Sequence, residues 1–127
     1  ICIDGRQIEK FSGDGILVAT SAGSTAYNYS LGGSIADPRL SLLQVPPIAP
    51  MNTTAYRSFT SSILIPSDIS LGIVPEYEKN KIFITNDGIQ TGYSNVKEVK
   101  ITASDKTVQL LRFKDYDFWS KVKSKFL

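Results

Sequence analysis

Residues 13–33 run Gly-Asp-Gly-Ile-Leu-Val-Ala-Thr-Ser-Ala-Gly-Ser-Thr-Ala-Tyr-Asn-Tyr-Ser-Leu-Gly-Gly. The apolar and partly β-branched residues 16–20 predict a buried strand. The hydroxyl-rich segment after them predicts a short helix over about residues 25–31, with a Ser or Thr cap at its start and glycine at its end. A strand, a glycine-bearing turn and a helix start present free backbone N–H groups and hydroxyls, which suit an anion or the polar edges of a nucleotide.

The pattern alone leaves a simpler interpretation open for the same residues. Ser24 or Thr25 serves as a helix cap and Gly23 as a turn residue, which is the commoner use of these residue types. Asp14, between two glycines, is either a turn aspartate or a carboxylate at the mouth of a site. Asp87, followed by glycine, has the same two interpretations, and there a hairpin turn is favoured.

The rest of the chain predicts a mainly β, sandwich-like fold. Asp4-Gly5 predicts a tight turn between strands at residues 1–3 and 6–11. Further strands are predicted at residues 62–65, 69–74, 81–85, 97–103 and 107–113. Many short strands separated by turns are typical of a β-sandwich or barrel. Near-helical spacing of Phe118, Trp119, Val122 and Phe126 predicts a terminal amphipathic helix over residues 117–127, packed on the sheet.

Composition limits the classes of function. The 127 residues predict a single domain, 1–127, with 42% hydrophobic and 20% charged residues. A net charge of +2 argues against nucleic acid as a partner, and no apolar run is long enough to cross a bilayer. With one cysteine, Cys2, and no histidine, the chain offers neither structural zinc nor histidine-based catalysis. We expect a soluble cytoplasmic protein whose sequence starts within a strand.

Several motifs together resemble the signature of the NAD kinase family. They are Gly13-Asp14-Gly15, the apolar run after it, the run Thr20-Ser21-Ala22-Gly23-Ser24-Thr25-Ala26-Tyr27, and Gly32-Gly33. Pro46-Pro47-Ile48-Ala49-Pro50 is similar to the family's segment after the helix, and Arg112-Phe113 with Phe118-Trp119 resembles the end of bacterial members. The resemblance covers essentially the whole chain.

The resemblance implies a two-domain enzyme that phosphorylates the adenosine 2′-hydroxyl of NAD to give NADP. Its donor is ATP or polyphosphate with Mg²⁺, it is a homo-oligomer, and this chain corresponds to its NAD-binding, β-rich C-terminal part. The family's Gly-Gly-Asp-Gly stretch and its Asn-Glu pair lie upstream and are absent from this sequence. We therefore expect no catalytic and no metal-binding residue here, and no phosphoryl transfer by this chain without the N-terminal half.

The resemblance also implies an adenosine-binding group of residues. Thr25 would hydrogen-bond the adenine side of NAD. Ala26 and Tyr27 would line the adenosine pocket, and Ser30, one turn beyond, would face it. Ala22 stands where family members commonly carry a hydroxyl residue, so one adenine-facing hydrogen bond is missing.

A second group lies towards the other end of the dinucleotide. Asp14 would bond the nicotinamide-side portion of a dinucleotide held mainly by a neighbouring subunit, and Ala49 with Met51 would border that end. Asp87 would approach the ribose and phosphate region. Two further departures from the family are Asp37, where many relatives place histidine, and Ser12, where an arginine is frequent.

Two other functions remain open. A non-catalytic β domain could serve nucleotide sensing or oligomerisation, and a coding sequence without an upstream Gly-Gly-Asp-Gly half would favour it. A lipid kinase of the diacylglycerol or sphingosine type would need an apolar tunnel for an acyl chain. The dense Ser, Thr and Tyr content of residues 21–30 suits a polar nucleotide better.

Overall fold

The computed structural model describes residues 1–55, 57–77 and 81–127. Short antiparallel strands dominate these residues, and the prediction of a mainly β fold is confirmed. The strands are β1 Cys2–Ile3, β2 Arg6–Gln7, β3 Gly15–Ile16, β4 Ala19–Thr20, β5 Leu42–Val45, β6 Pro47–Ile48, β7 Ile63–Pro66, β8 Leu71–Ile73, β9 Ile82–Asn86, β10 Ile89–Tyr93 and β11 Val99–Ile101. The helices are a 3-10 helix at Ala22–Thr25, α1 at Tyr27–Ser30 and α2 at Phe118–Phe126.

Two of the sheets enclose the apolar core. One has the strand order β11-β8-β1-β2 and the other β4-β5-β7. Leu71 of the first sheet packs with Leu43, Val45 and Ile65 of the second, and all four side chains are buried. Because each sheet turns one apolar face towards the other, the arrangement is sandwich-like. Two smaller sheets, β3-β6 and β9-β10, complete the described strands.

Both Asp-Gly pairs form the predicted hairpin turns. Asp4 and Gly5 have φ of 46° and 74°, and Asp87 and Gly88 have φ of 49° and 79°. Positive φ at both central residues is the requirement of a type I′ turn, whose twist matches that of the flanking strands. The strand register agrees with two-residue loops, since Ile3 pairs with Arg6 and Asn86 pairs with Ile89.

The strand predicted at residues 107–113 is wrong. This segment forms no strand, and its apolar side chains Val108, Leu111 and Phe113 are almost fully exposed. The alternating pattern is present, but a strand needs a neighbour, and no described strand pairs with this segment. The strands predicted at residues 62–65 and 81–85 have the expected length and are displaced by one residue. Those predicted at residues 1–3, 6–11, 69–74 and 97–103 exist but are shorter than expected, because a ladder extends only as far as its partner strand does.

Two strands were missed, and one predicted strand is divided. Prolines 46 and 47 hid β5 and β6, yet Pro46 only separates the two strands and Pro47 begins the second. The strand predicted at residues 16–20 is split into β3 and β4, which pair with β6 and β5 respectively. The proline pair therefore interrupts the ladder on both sides, because the segment 15–20 pairs once with β6 and once with β5.

The helix predicted at residues 25–31 has a different start. It is a 3-10 turn followed by α1, and neither element has a side-chain cap. Ser24 does not cap because its hydroxyl bonds the backbone of Ala36 instead. The glycine end is confirmed, since Gly32 has φ of 76° and the Gly33 N–H donates to the Asn28 carbonyl at 2.9 Å.

The predicted terminal helix is present and contacts α1. Asp117 caps α2 by accepting from the Ser120 hydroxyl at 2.7 Å and the Ser120 N–H at 2.8 Å, which lowers the pKa of Asp117. The Phe126 ring meets Tyr29 of α1 at 4.8 Å between centroids. Ring packing therefore joins α2 to α1, and Val122 is the buried residue of α2.

Candidate functional site

The β3–β6 pair brings two candidate segments together. The Asp14 N–H donates to the Ile48 carbonyl at 3.0 Å, and the Met51 N–H donates to the Ser12 carbonyl at 2.8 Å. The buried Ser58 hydroxyl accepts from the Ser12 N–H at 2.9 Å and donates to the Ser12 carbonyl at 3.0 Å. Asp14, Ala49 and Met51 thus lie on adjacent segments, and all three are exposed.

Gly13 permits this close approach. A Cβ atom at residue 13 would lie 2.6 Å from the Phe11 ring, 2.9 Å from the Ala49 carbonyl oxygen and 3.0 Å from the Ile48 carbonyl oxygen. Ala49 itself has φ of 44°, a left-handed conformation that non-glycine residues adopt rarely. The contact between residues 12–15 and 48–51 is therefore made by backbone, which leaves the Asp14 side chain free to face a ligand.

The second candidate group lies on the outer side of the two short helices. Ala22, Ala26, Tyr27 and Ser30 are exposed, and Thr25 is half-buried. Tyr27 has 56% of its surface exposed, so its aromatic side chain is accessible to a ligand. Five predicted residues are thus presented together along one short segment.

The inner side of this segment is polar and buried, which sequence reasoning missed. Ser24, Asn28 and Gln44 are each at most 1% exposed. Asn28 Nδ2 donates to the carbonyls of Ser24 and Ser34 at 3.0 and 3.2 Å, whereas its Oδ1 is buried without a partner. The available clue was a glutamine inside the apolar run of β5, since a buried amide requires specific partners.

The two groups are joined through one continuous run of chain. β4, which leads into the 3-10 helix, pairs with β5. The chain then passes through Pro46 into β6, which pairs with β3 beside Asp14. Asp87 lies elsewhere, at the exposed turn of the β9–β10 hairpin, and that hairpin forms its own two-stranded sheet. No described hydrogen bond or ring contact links Asp87 to either group.

The three departures from the family have defined surroundings. The buried Ser21 hydroxyl donates inward to the Leu40 carbonyl at 2.5 Å, so it does not replace the hydroxyl that Ala22 lacks. Asp37 pairs with Arg39 at 2.7 Å. The Ser12 hydroxyl reaches the Met51 sulfur at 3.9 Å, so a polar contact is made at the position where an arginine is frequent in the family.

Asp37 is held as a carboxylate. Hydrogen bonds from the Arg39 guanidinium and from the Arg39 backbone N–H lower the pKa of Asp37 well below its usual range, and the Trp119 indole N–H adds to this effect. The same pair raises the pKa of Arg39. Its negative charge is therefore matched locally by a cation, and it adds little field at the predicted nucleotide site.

Within residues 1–55, 57–77 and 81–127, no group of three Cys, Asp or Glu side chains is placed to hold a metal ion. None of the helices described is long and apolar enough to pass through a lipid bilayer.

Comparison with known proteins identifies the family. Residues 1–113 match the model of the ATP-NAD kinase C-terminal domain. The whole chain is 38% identical to an NAD kinase of Finegoldia magna and 40% identical to NAD kinase 2 of Halalkalibacterium halodurans, and it spans 48% of each. The chain thus covers about half the length of these relatives.

Solved structures show the same relationship. A yeast NADH kinase complexed with NADH matches with a TM-score of 0.64 at 26% identity, over 86% of this chain and 31% of the yeast chain. An NAD kinase from Archaeoglobus fulgidus in complex with ATP matches with a TM-score of 0.66 at 26% identity, over 82% of this chain and 38% of that chain. On sequence and fold together, the chain belongs to the ATP-NAD kinase C-terminal domain family.

Proposed function

We propose that this chain is the NAD-binding part of an enzyme that phosphorylates the adenosine 2′-hydroxyl of NAD to give NADP. The observation that carries the proposal is the row formed by the half-buried Thr25 and the exposed Ala26, Tyr27 and Ser30, held on a buried polar underside in a chain of the NAD kinase family. Relatives at 38% and 40% identity over the full chain are NAD kinases, and a structural neighbour holds NADH.

The row is chemically suited to adenosine. The accessible side chain of Tyr27 offers a stacking surface for the adenine ring, and Ala26 next to it leaves room for the base. The hydroxyls of Thr25 and Ser30 can donate to or accept from base and ribose atoms. Across the β3–β6 pair, the Asp14 carboxylate is an acceptor for ribose hydroxyls or a carboxamide N–H, with Ala49 and Met51 as apolar borders.

We assign phosphoryl transfer itself to the N-terminal half of the enzyme. This chain has no Gly-Gly-Asp-Gly stretch, whose aspartate would activate the hydroxyl, and we propose that it does not catalyse phosphoryl transfer alone. The proposed donor is ATP, which the Archaeoglobus neighbour holds, or polyphosphate. Mg²⁺ is proposed to bind with the donor phosphates rather than to this chain.

The same proposal includes the assembly and its place in the cell. We infer a homo-oligomer in which Asp14, Ala49 and Met51 face a dinucleotide held mainly by a neighbouring subunit, which requires at least a dimer. We also infer contact with the N-terminal half and a cytoplasmic location. Family membership supports these inferences, and the exposure of all three side chains agrees with the first.

Calorimetric titration with NAD tests the proposal. NAD is titrated into this chain and into a version extended upstream to include the Gly-Gly-Asp-Gly half. Binding by both would place the main contacts in residues 13–30, and binding by the extended form alone would mean that the pocket is completed between the two halves. Absence of binding in both would overturn the proposal in favour of a non-catalytic module.

Substitutions in the extended protein test the residues. Tyr27→Ala and Asp14→Asn should each weaken NAD binding about tenfold, the cost of one stacking or charged contact of about 1.4 kcal/mol. Tyr116→Ala is the matched control, because Tyr116 is also an exposed tyrosine but lies outside α1, where its ring contacts Arg112. Unchanged affinity in both site variants would refute the assignment.

A further inference from the structure

The row of predicted NAD contacts sits on elements that cannot hold their own orientation. The 3-10 helix and α1 have four residues each, and neither carries a side-chain cap. Helices shorter than about 12 residues are marginal in water without tertiary support. The direction in which Tyr27 and Ser30 point must therefore be set by tertiary contacts, which are the ring contact between Tyr29 and Phe126 and the contacts on the inner side of the segment.

Those inner contacts are hydrogen bonds. Ser24 and Asn28, four residues apart, are the buried residues of the two helices, whereas the apolar core lies in strands β5, β7 and β8. Apolar burial is non-directional and tolerates rotation, whereas a hydrogen bond weakens steeply away from its preferred angle. A buried polar contact thus fixes orientation as well as position.

The bonds form a continuous frame from β5 to the helices. Gln44 binds the Ser34 backbone twice, accepting from its N–H at 3.1 Å and donating to its carbonyl at 2.9 Å. Asn28 Nδ2 donates to that same Ser34 carbonyl and to the Ser24 carbonyl. The Ser24 hydroxyl accepts from the Ala36 N–H at 3.0 Å and donates to the Ala36 carbonyl at 3.2 Å.

We propose that Gln44, Asn28 and Ser24 are positioning residues for NAD, which act by orienting the outer row without touching the ligand. The proposal rests on the function proposed above. Gln44 is the anchor, because it alone of the three belongs to a strand of the core sheet. Breaking its bonds frees residues 33–36 and lets α1 rotate, so that Tyr27 and Ser30 lose their alignment while the upstream half stays intact.

The test is steady-state kinetics of the full-length enzyme carrying Gln44→Met. Methionine has similar length and volume, so the variant removes both bonds to Ser34 with little change in packing. The KM for NAD should rise about tenfold, because misaligned Tyr27 and Ser30 side chains would lose about the binding energy of one contact to NAD. The KM for ATP should change less than about twofold, since misalignment of one substrate does not weaken the other.

Leu43→Ala is the matched control. Leu43 is the preceding residue of β5, is equally buried and packs in the apolar core without a bond to the frame. The Leu43→Ala enzyme should have a lower melting temperature than the wild type, while its KM values for NAD and ATP stay near those of the wild type. Ser24→Ala, which removes one hydroxyl and both bonds to Ala36, is measured in parallel and decides the test if Gln44→Met does not fold.

The outcomes separate the two proposals. A folded wild-type enzyme that forms no NADP overturns the proposed function. If the wild type is active but Gln44→Met and Ser24→Ala raise the KM for NAD and the KM for ATP equally, the positioning role alone is overturned. The same holds if the two variants change these KM values no more than Leu43→Ala does. A selective rise in the KM for NAD supports it.

Discussion

Trp119 donates a hydrogen bond from its indole Nε1 to Asp37 Oδ2 at 3.1 Å, joining residues 82 positions apart. Arg39 holds the same carboxylate through its Nε at 2.8 Å and its second guanidinium nitrogen at 2.7 Å. The loop after α1 is thereby tied to the C-terminal helix. Since α1 carries Tyr27 and Ser30, the end of the chain supports the segment proposed to bind NAD.

Replacing Asp37 with Asn should reduce stability in a pH-dependent way. The pKa of Asp37 is lowered by its Arg39 and Trp119 partners. The contribution of the Asp37 carboxylate to the free energy of unfolding is therefore fully present above the unfolded-state pKa of about 3.9. It is lost as the pH falls below that value towards the folded-state pKa. Melting temperatures at pH 7, 5 and 3 should show a gap between wild type and variant that is constant from 7 to 5 and narrower at 3.

Gly33→Ala should destabilise the protein by about 1 to 3 kcal/mol, the usual cost of overpacking. A Cβ atom there would overlap the Asn28 side-chain amide, which is buried and cannot move aside. Gly23→Ala is the control, because its Cβ would make ordinary contacts at 3.7 and 3.9 Å. Urea unfolding should give a clear loss for the first variant and little change for the second; equal values would contradict the placement of Asn28.

Gly13→Ala should separate the segments that bear Asp14 and Met51. Its Cβ would press on backbone oxygens of Ile48 and Ala49, which belong to the paired strand and the residue after it. We expect a loss of stability of about 1 to 3 kcal/mol together with weaker NAD binding in the extended protein. Gly15→Ala, whose Cβ would meet only the Ile48 side chain at 3.6 Å, should bind NAD as the wild type does.

Asp4→Ala should destabilise the first hairpin by about 1 kcal/mol or more. Asp4 has a positive φ, and its Oδ1 accepts from the Ser70 N–H at 2.9 Å and the Ser70 hydroxyl at 3.3 Å. Asp4→Asn keeps an acceptor oxygen and tolerates the left-handed conformation, so it should recover most of the loss. Chemical denaturation of the three proteins compares them, and an Asn variant as unstable as the Ala variant would argue against this role.

Local sequence was sufficient wherever the deciding interaction spans a few residues. Asp4-Gly5 and Asp87-Gly88 specify their turns because few residue pairs accept positive φ twice. Gly32 ends α1 for the same reason. The family signature around residues 13–33 likewise identified the outer row, although the roles of its members stay predictions.

Other features depended on residues distant in sequence. Alternation at residues 107–113 predicts a strand, but a strand forms only where a partner offers its free N–H and carbonyl groups, and no described strand does so. Prolines 46 and 47 concealed β5 and β6, whose pairing is decided by β4, β7 and β3.

The sequence by itself thus determined the turns, the glycine at the end of α1, the existence of α2 and the family. The tertiary structure alone decided that Ser24 bonds Ala36 instead of capping a helix, and that Gln44 and Asn28 meet at Ser34. The physical reason is that a buried polar side chain must find a partner, and that partner is supplied by whichever backbone the packed sheets bring within reach.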